Sequence, residues 1–121
     1  MSSKPTTKRL ALAHARFRTA VTDYLLSKGA VADGRFHDYR IETPAGPLGI
    51  SVWETSIMTR FDDVERGQAF TASCGFRCNP YSGKWNFHFA DHPDALTPAV
   101  VLAQFGFYFE QLLAWQPGVI A

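Results

Sequence analysis

An apolar repeat at helical spacing runs through residues 6–28. Six apolar residues form it: Leu10, Ala13, Phe17, Val21, Tyr24 and Leu25. This spacing places them on one face of an α-helix, while Arg9 and Arg16 lie mostly off that face. Gly29 suits a left-handed cap at the helix end. The pattern predicts a long amphipathic helix over 6–28, after a flexible N-terminus at residues 1–5.

Alternation of apolar and polar residues predicts β-strands in the middle of the chain. Residues 35–43, 48–52 and 57–61 each alternate, and a Thr-Pro-Ala-Gly turn signal at 43–46 separates the first two. These three strands read as an antiparallel meander. Residues Lys84–Phe89 alternate again and predict a fourth strand. Its two faces carry Trp85, Phe87 and Phe89 on one side and Lys84, Asn86 and His88 on the other.

The segments between these strands read as a connector, a short helix and a loop. Ala30–Gly34 shows no periodicity and is predicted to be a connector. An acidic residue followed by Glu65 three positions later matches a capping box and predicts a short helix over about 63–70. Thr71–Gly83 is rich in turn residues and predicts an irregular loop.

The last helix is predicted to begin near Asp94 or Thr97 and to run to about Trp115. Its apolar residues surround almost the whole cylinder, so more than one side of it must be buried. The sheet can cover one side only. Two interpretations follow for the other side: a homodimer formed through this C-terminal helix, or coverage by the N-terminal helix.

Together these elements predict one α+β domain over residues 6–121. The expected architecture has two layers, with a four-stranded, mainly antiparallel sheet backed by two long helices in the order α-β-β-β-α-β-α. A chain of 121 residues with 46% hydrophobic and 19% charged residues fits one such domain.

Charge and hydropathy limit the partners and the location. No stretch of about 18 apolar residues is present, and the N-terminus lacks the apolar run of a signal peptide. We therefore expect a cytoplasmic protein with no membrane partner. Residues 1–28 carry a net charge of +5 and the remainder −4, although the whole chain is only +1. This asymmetry indicates either a solvated basic helix or, through Arg9 and Arg16, a contact with nucleic acid or an acidic protein.

Two cysteines and two histidines have spacing that resembles a zinc site. Cys74, Cys78, His88 and His92 form C-x3-C-x9-H-x3-H, and thiolate and imidazole are ligands that zinc prefers. Against this, His88 lies in a predicted strand, and four strand residues span about 13 Å. The alternatives are two free cysteines packed as small apolar groups, or a disulfide or redox pair.

Other candidate residues point to binding rather than catalysis. Asp62, Asp63 and Glu65 could serve metal or acid–base chemistry, but capping and exposed charge at a helix start explain them more simply. No nucleophile elbow, P-loop, H-E-x-x-H or G-x-G-x-x-G motif is present. Contact residues are expected where loops present side chains, so the candidates here are Tyr81, Lys84 and Asn86.

Two motifs carry a resemblance to a known group of proteins. The run RFDDVER at 60–66 and the run NPYSGKWNFHF at 79–89 are similar to small uncharacterised bacterial proteins encoded on phages, plasmids and integrated elements. The resemblance covers about residues 36–113. It implies no established activity and no catalytic residue, but it does imply a binding protein that acts on a host protein complex.

These observations lead to one expected function and two alternatives. We expect a non-enzymatic, cytoplasmic interaction module of a mobile element, homodimeric, without a cofactor, that binds a host protein. The first alternative is a nucleic-acid-binding accessory protein that uses the basic N-terminal helix. The second is a small zinc-binding protein.

Overall fold

A computed structural model describes residues 7–34, 37–74 and 84–116. Within these residues the chain forms three helices and five strands. In chain order they are α1 (Thr7–Ser27), β1 (Val31–Ala32), β2 (Tyr39–Thr43), β3 (Gly46–Val52), β4 (Ser56–Phe61), α2 (Val64–Cys74), β5 (Lys84–His88) and α3 (Pro98–Ala114). The predicted α+β class and the order of the predicted elements are confirmed, with one additional strand.

The five strands form one antiparallel sheet in the order β1-β2-β3-β4-β5. Each strand pairs with its neighbour in sequence, as the alternation predicted for the meander. The central registers place Ile50 opposite Thr59 and Leu48 opposite Phe61. Strand β5 joins the edge of β4 after α2, and Trp85 lies opposite Thr59 there.

The structure corrects the sequence prediction in three places. The predicted connector Ala30–Gly34 contains β1, whose two residues are too few to show a period. The first predicted strand begins at Tyr39, not at 35, because His37 and Asp38 form a bend. Helix α2 continues to Cys74, so residues 71–74 of the predicted loop are helical. The rest of that loop, residues 75–83, lies outside the described residues.

The hydrophobic core lies between one face of the sheet and the three helices. Buried residues of α1 and α3 share a single cluster with Ile41, Leu48 and Ile57 of the strands. Phe70 of α2 joins the same side, with its ring centroid 5.2 Å from that of Trp85. Burial of apolar area of this kind is the main stabilising contribution to such a fold.

Helix α1 packs along α3 and covers one side of it. The ring of Tyr24 meets Phe105 and Phe109 edge to face, at centroid distances of 6.0 and 5.8 Å. A Cβ at Gly106 would lie 3.4 Å from the Tyr24 hydroxyl, at ordinary van der Waals contact, so the two helices are closely packed at this point. The interpretation in which the N-terminal helix covers α3 therefore holds for this side. Phe107 stays 64% exposed, and a homodimer through α3 stays a prediction.

A hydrogen-bonded clasp also joins the two helices. The Tyr24 hydroxyl donates to Glu110 Oε1 at 2.9 Å, and the Lys28 ammonium contacts the same carboxylate oxygen. Hydrogen bonds from Lys28 and then from Tyr24 lower the pKa of the Glu110 carboxyl. Burial, followed by the contact with Glu110, raises the pKa of the Tyr24 hydroxyl. Both shifts favour a neutral tyrosine beside an ionised glutamate.

The clasp predicts a pH-dependent contribution to stability. Because the pKa of Glu110 is lowered by folding, its contribution is complete above the unfolded value of about 4.3 and is lost as pH falls through the folded pKa. The free energy of unfolding of Glu110→Gln should therefore approach that of the wild type between about pH 5 and pH 3. Urea unfolding at stepped pH measures this difference. In a Tyr24→Phe, Lys28→Gln background the effect of Glu110→Gln should lose its pH dependence, and an unchanged dependence would contradict the clasp.

No helix among the described residues is both long enough and apolar enough to cross a membrane.

Candidate functional site

The sheet has a second face that does not belong to the hydrophobic core. It is the face of β3, β4 and β5 that carries Ser51, Met58, Arg60, Lys84 and Asn86, and we call it the open face. These residues alternate with the core residues of the same strands, as strand geometry requires. Met58 is only 3% exposed, yet it is not a member of the core cluster. The open face is thus concave enough to bury some of its own side chains.

A groove with a volume of about 1240 Å³ runs over the open face. Its walls come from α1, from the segment before β2, and from β3, β4 and β5. Its lining includes charged, polar and apolar side chains, among them Arg18, His37, Asp38, Met58, Arg60 and Lys84. A concave site with a few converging polar groups is the arrangement expected of a binding site.

The absence of a side chain at Gly49 allows the imidazole of His37 to lie against β3. A Cβ at Gly49 would lie only 2.1 Å from His37 Cδ2 and 2.5 Å from its Nε2. Glycine within a strand often marks such a close approach. Nearby, the Val52 amide donates to Asp38 Oδ2 at 2.8 Å and ties the segment before β2 to the end of β3. The position of His37 over the sheet therefore follows from Gly49 and Asp38.

The strand registers align basic residues in one row across the open face. Arg40 lies opposite Gly49, Gly49 opposite Arg60, and Arg60 opposite Lys84. The imidazole of His37 occupies the space over Gly49. Arg60 and Lys84 are thus direct cross-strand neighbours, and we call them the cation pair. Side chains opposite each other in an antiparallel pair have Cβ atoms about 4.5–5.5 Å apart, so like charges there repel.

The cation pair has no neutralising partner among the described residues. Elsewhere in this part of the chain Lys28, Arg40 and Arg66 each meet a carboxylate. Arg60 and Lys84 are in no such ion pair, and Arg60 Nε is buried without a hydrogen-bond partner. Both side chains are partly exposed and remain partly solvated, but a buried donor without a partner, such as Arg60 Nε, is costly. The groove therefore holds positive charge that a ligand can neutralise.

Two carboxylates also line the groove, and neither neutralises the cation pair. Asp38 is engaged with the Val52 amide, and Asp62 is exposed at the end of β4. Arg18 enters the lining from α1, also without an ion-pair partner among the described residues. The lining thus mixes both signs of charge around an unneutralised centre.

The structure brings together some of the predicted binding residues and separates others. Lys84 and Asn86 both lie on the open face in β5, where Lys84 joins the groove. Arg16 is exposed on α1 and lines a different, mainly apolar groove of about 620 Å³ between α1 and the start of α3. Arg9 is exposed on α1 as well. Tyr81 lies outside the described residues.

Of the titratable residues that line the groove, the sequence indicated Lys84 as a binding candidate but not Arg18, His37, Asp38 or Arg60. Alternation had already placed Arg60 on the face of its strand opposite the core. Alternation does not give the register of the strands. The register shows that Arg60 lies opposite Lys84 on one side and opposite Gly49 on the other. His37 falls within the predicted strand at 35–43, whereas in the structure it lies in a bend and covers Gly49.

The zinc hypothesis involves residues that the structure describes only in part. His88 is exposed opposite Ser56, and His92 Nδ1 accepts a hydrogen bond from the Asp94 amide at 3.1 Å. Cys78 lies outside the described residues, and of Cys74 only the helical backbone is described. Among the described side chains no three His, Cys, Asp or Glu residues come together as a metal site would require. Zinc binding stays a prediction.

The acidic residues before α2 serve the helix start. Asp63 Oδ1 accepts a hydrogen bond from the Glu65 amide at 2.9 Å, and Asp63 Oδ2 lies 3.6 Å from Arg66 Nε. Carboxylates are stabilising at this end of a helix because its first amides lack partners.

Comparison of the chain with models of protein families finds no match, and neither the curated proteins nor the solved structures yield a significant one.

Proposed function

We propose that the chain is a non-catalytic interaction module that binds an acidic partner protein across the open face. The observation that carries this proposal is the cation pair, Arg60 and Lys84, which faces the groove without a neutralising partner among the described residues. A partner that supplies carboxylates would remove the repulsion and could accept a hydrogen bond from the Arg60 guanidinium. Complementary charge of this kind selects partners and accelerates their association.

The composition of the groove favours a protein partner. Trp53 is 48% exposed at the groove, and Met58 lies at its floor. Tryptophan is enriched in protein interfaces, where it supplies contact area, whereas Met58 is only 3% exposed and contributes to the shape of the floor. Asp38 and Asp62 place two carboxylates in the same lining as the cations. A folded or extended protein segment can match both signs of charge.

The biological setting that we propose comes from the sequence resemblance. Small single-domain proteins of mobile elements act as binding proteins, so the partner proposed here is a host protein complex in the cytoplasm. The open face uses residues from both resembling motifs, since Arg60 begins one and Lys84 lies in the other. The proposed binding does not require a dimer.

A second candidate function is nucleic-acid binding through α1. The observation in its favour is that Lys8, Arg16 and Arg18 are exposed on this one helix and in no ion pair with another described residue. Such a surface would contact phosphates and give a strongly salt-dependent affinity.

One NMR experiment tests both candidates. A ¹⁵N-labelled protein is titrated with a hexaglutamate peptide and, separately, with a short DNA duplex. We expect the peptide to shift the amide signals of Ser51, Met58, Arg60 and Lys84 and, within α1, only signals near Arg18, which lines the groove. A hexaglycine peptide serves as the uncharged control. If only the duplex binds, with shifts confined to α1, the second candidate replaces the first.

A further inference from the structure

We infer that the cation pair is an oxyanion subsite, which takes one carboxylate or phosphate group of the bound partner between Arg60 and Lys84. The inference deepens the proposed function and rests on it for the identity of the natural ligand. The subsite itself is a local property of the sheet and can be tested with small anions.

Arg60 and Lys84 repel each other across neighbouring strands. Like charges placed directly opposite in an antiparallel pair destabilise the sheet. Arg60 and Lys84 occupy such positions, and Gly49 on the other side of Arg60 offers no side chain to compensate. Nothing in the packing of the strands requires either cation, since both point away from the core. An anion between them converts the repulsion into two attractive contacts.

The second argument is the condition of the Arg60 guanidinium. Its Nε is buried and has no hydrogen-bond partner among the described residues. On the neighbouring strand the residue opposite Arg60 is Gly49, and the His37 ring fills the space over that glycine. Arginine presents five donors in a planar fork that matches an oxyanion, and lysine adds a mobile ammonium. A fixed fork beside a flexible cation is well suited to hold one oxyanion from two sides.

The third argument is a comparison within the same row. Arg40 lies on the same face of the sheet, one strand beyond Gly49, but its Nε is 3.9 Å from Glu42 Oε1 and it does not line the groove. The sheet therefore neutralises an exposed arginine where no ligand is expected. Arg60 and Lys84, which line the groove, form no such ion pair with a described residue.

The chemistry shared by a carboxylate and a phosphate group defines the ligand. A carboxylate would come from an acidic side chain or a chain end of the partner, and a phosphate would come from a phosphorylated side chain. Both accept charge-assisted hydrogen bonds from arginine and lysine. The doubly charged phosphate gains more from two cations, whereas the two nearby aspartates oppose it more strongly.

The experiment is an NMR titration with inorganic phosphate and, in a second arm, with acetate, each at ionic strength held constant by sodium chloride. We expect saturable shifts at Arg60 and Lys84 with a dissociation constant on the order of millimolar. Arg60→Gln and Lys84→Gln should each weaken binding at least about fivefold, because each removes one charge-assisted contact. Tighter binding of phosphate than of acetate assigns a phosphorylated ligand, and the reverse order assigns a carboxylate.

Arg40→Gln is the matched control, since it removes the same charge from the same sheet face. Its dissociation constants should stay within about twofold of the wild type. Lys84→Gln keeps the test decisive if Arg60→Gln does not fold. The subsite is overturned if neither anion gives a saturable shift, or if Arg40→Gln weakens binding as much as Arg60→Gln. If hexaglutamate binds but neither phosphate nor acetate does, the subsite is removed and the proposed function stands. If the small anions bind but hexaglutamate does not, the subsite stands and only the proposed function is removed.

Discussion

Replacement of Phe105 by alanine is expected to lower the free energy of unfolding by about 3–5 kcal/mol. Phe105 is fully buried in α3, and its ring meets Phe87 of the sheet at a centroid distance of 5.3 Å. It also stacks on Phe109 at 5.0 Å and meets Tyr24 of α1. One side chain thus connects both long helices to the sheet, and its removal leaves a cavity that none of the three can fill.

Urea unfolding of the variant beside the wild type measures this loss. Phe107→Ala is the matched control, because it removes the same side chain two positions away on the exposed side of α3. Its effect should stay within about 0.5 kcal/mol. Equal losses in the two variants would contradict the position of α3 described here. A loss in Phe107→Ala that grows with protein concentration would show instead that this face of α3 is buried between copies, as the homodimer prediction requires.

Substitution of Gly49 by alanine is expected to lower the free energy of unfolding by about 1–3 kcal/mol, since the new methyl group overlaps the His37 imidazole. The same substitution in a His37→Ala background should be neutral or should stabilise the protein by about 0.5–1 kcal/mol. In that background the space is free, and alanine is favoured over glycine within a strand. The sign of the effect thus depends on a side chain twelve residues away.

A double-mutant cycle measures this coupling directly. The wild type, the two single variants and the double variant are unfolded in urea, and the coupling energy is the departure of the double variant from additivity. We expect it to be larger than about 1 kcal/mol. Gly34 has a φ of +67°, which would strain any residue with a side chain at that position, so Gly34→Ala is a less informative control. Ser51→Ala, in the same strand and on the same face, supplies the control, and additive behaviour of Gly49 and His37 would contradict the contact.

The strength of the periodic signal explains which elements the sequence predicted. Helix α1 and strands β2 and β5 bury mainly one face, so their apolar residues recur at a regular spacing: Phe17, Val21 and Leu25 in the helix, or Trp85 and Phe87 in the strand. Strands β3 and β4 are largely buried on both faces, but their core residues still alternate with the residues of the open face. Strand β1 was missed because Val31 and Ala32 are both exposed, and its only evidence is its pairing with β2. A short edge strand without a buried face has no pattern to detect.

The candidate site was predictable only in part, because it is formed by register and by a missing side chain. Alternation placed Lys84 and Arg60 on the side of their strands opposite the core, but it could not make them neighbours. That relation depends on how β5 aligns with β4. The contact of His37 with Gly49 joins a bend to a strand, and the only signal for it was a glycine within an otherwise apolar strand. Such a glycine can be noticed in a sequence, but its partner cannot.

The affinity of hexaglutamate for the wild type and two variants tests most directly whether the open face is a binding surface. Isothermal titration at low salt gives the dissociation constants for the wild type, Arg60→Gln and Arg40→Gln. We predict about tenfold weaker binding for Arg60→Gln, equivalent to about 1.4 kcal/mol, and a change within about twofold for Arg40→Gln. Equal weakening by both substitutions would mean that the peptide responds only to total charge, and would contradict a binding surface at Arg60 and Lys84.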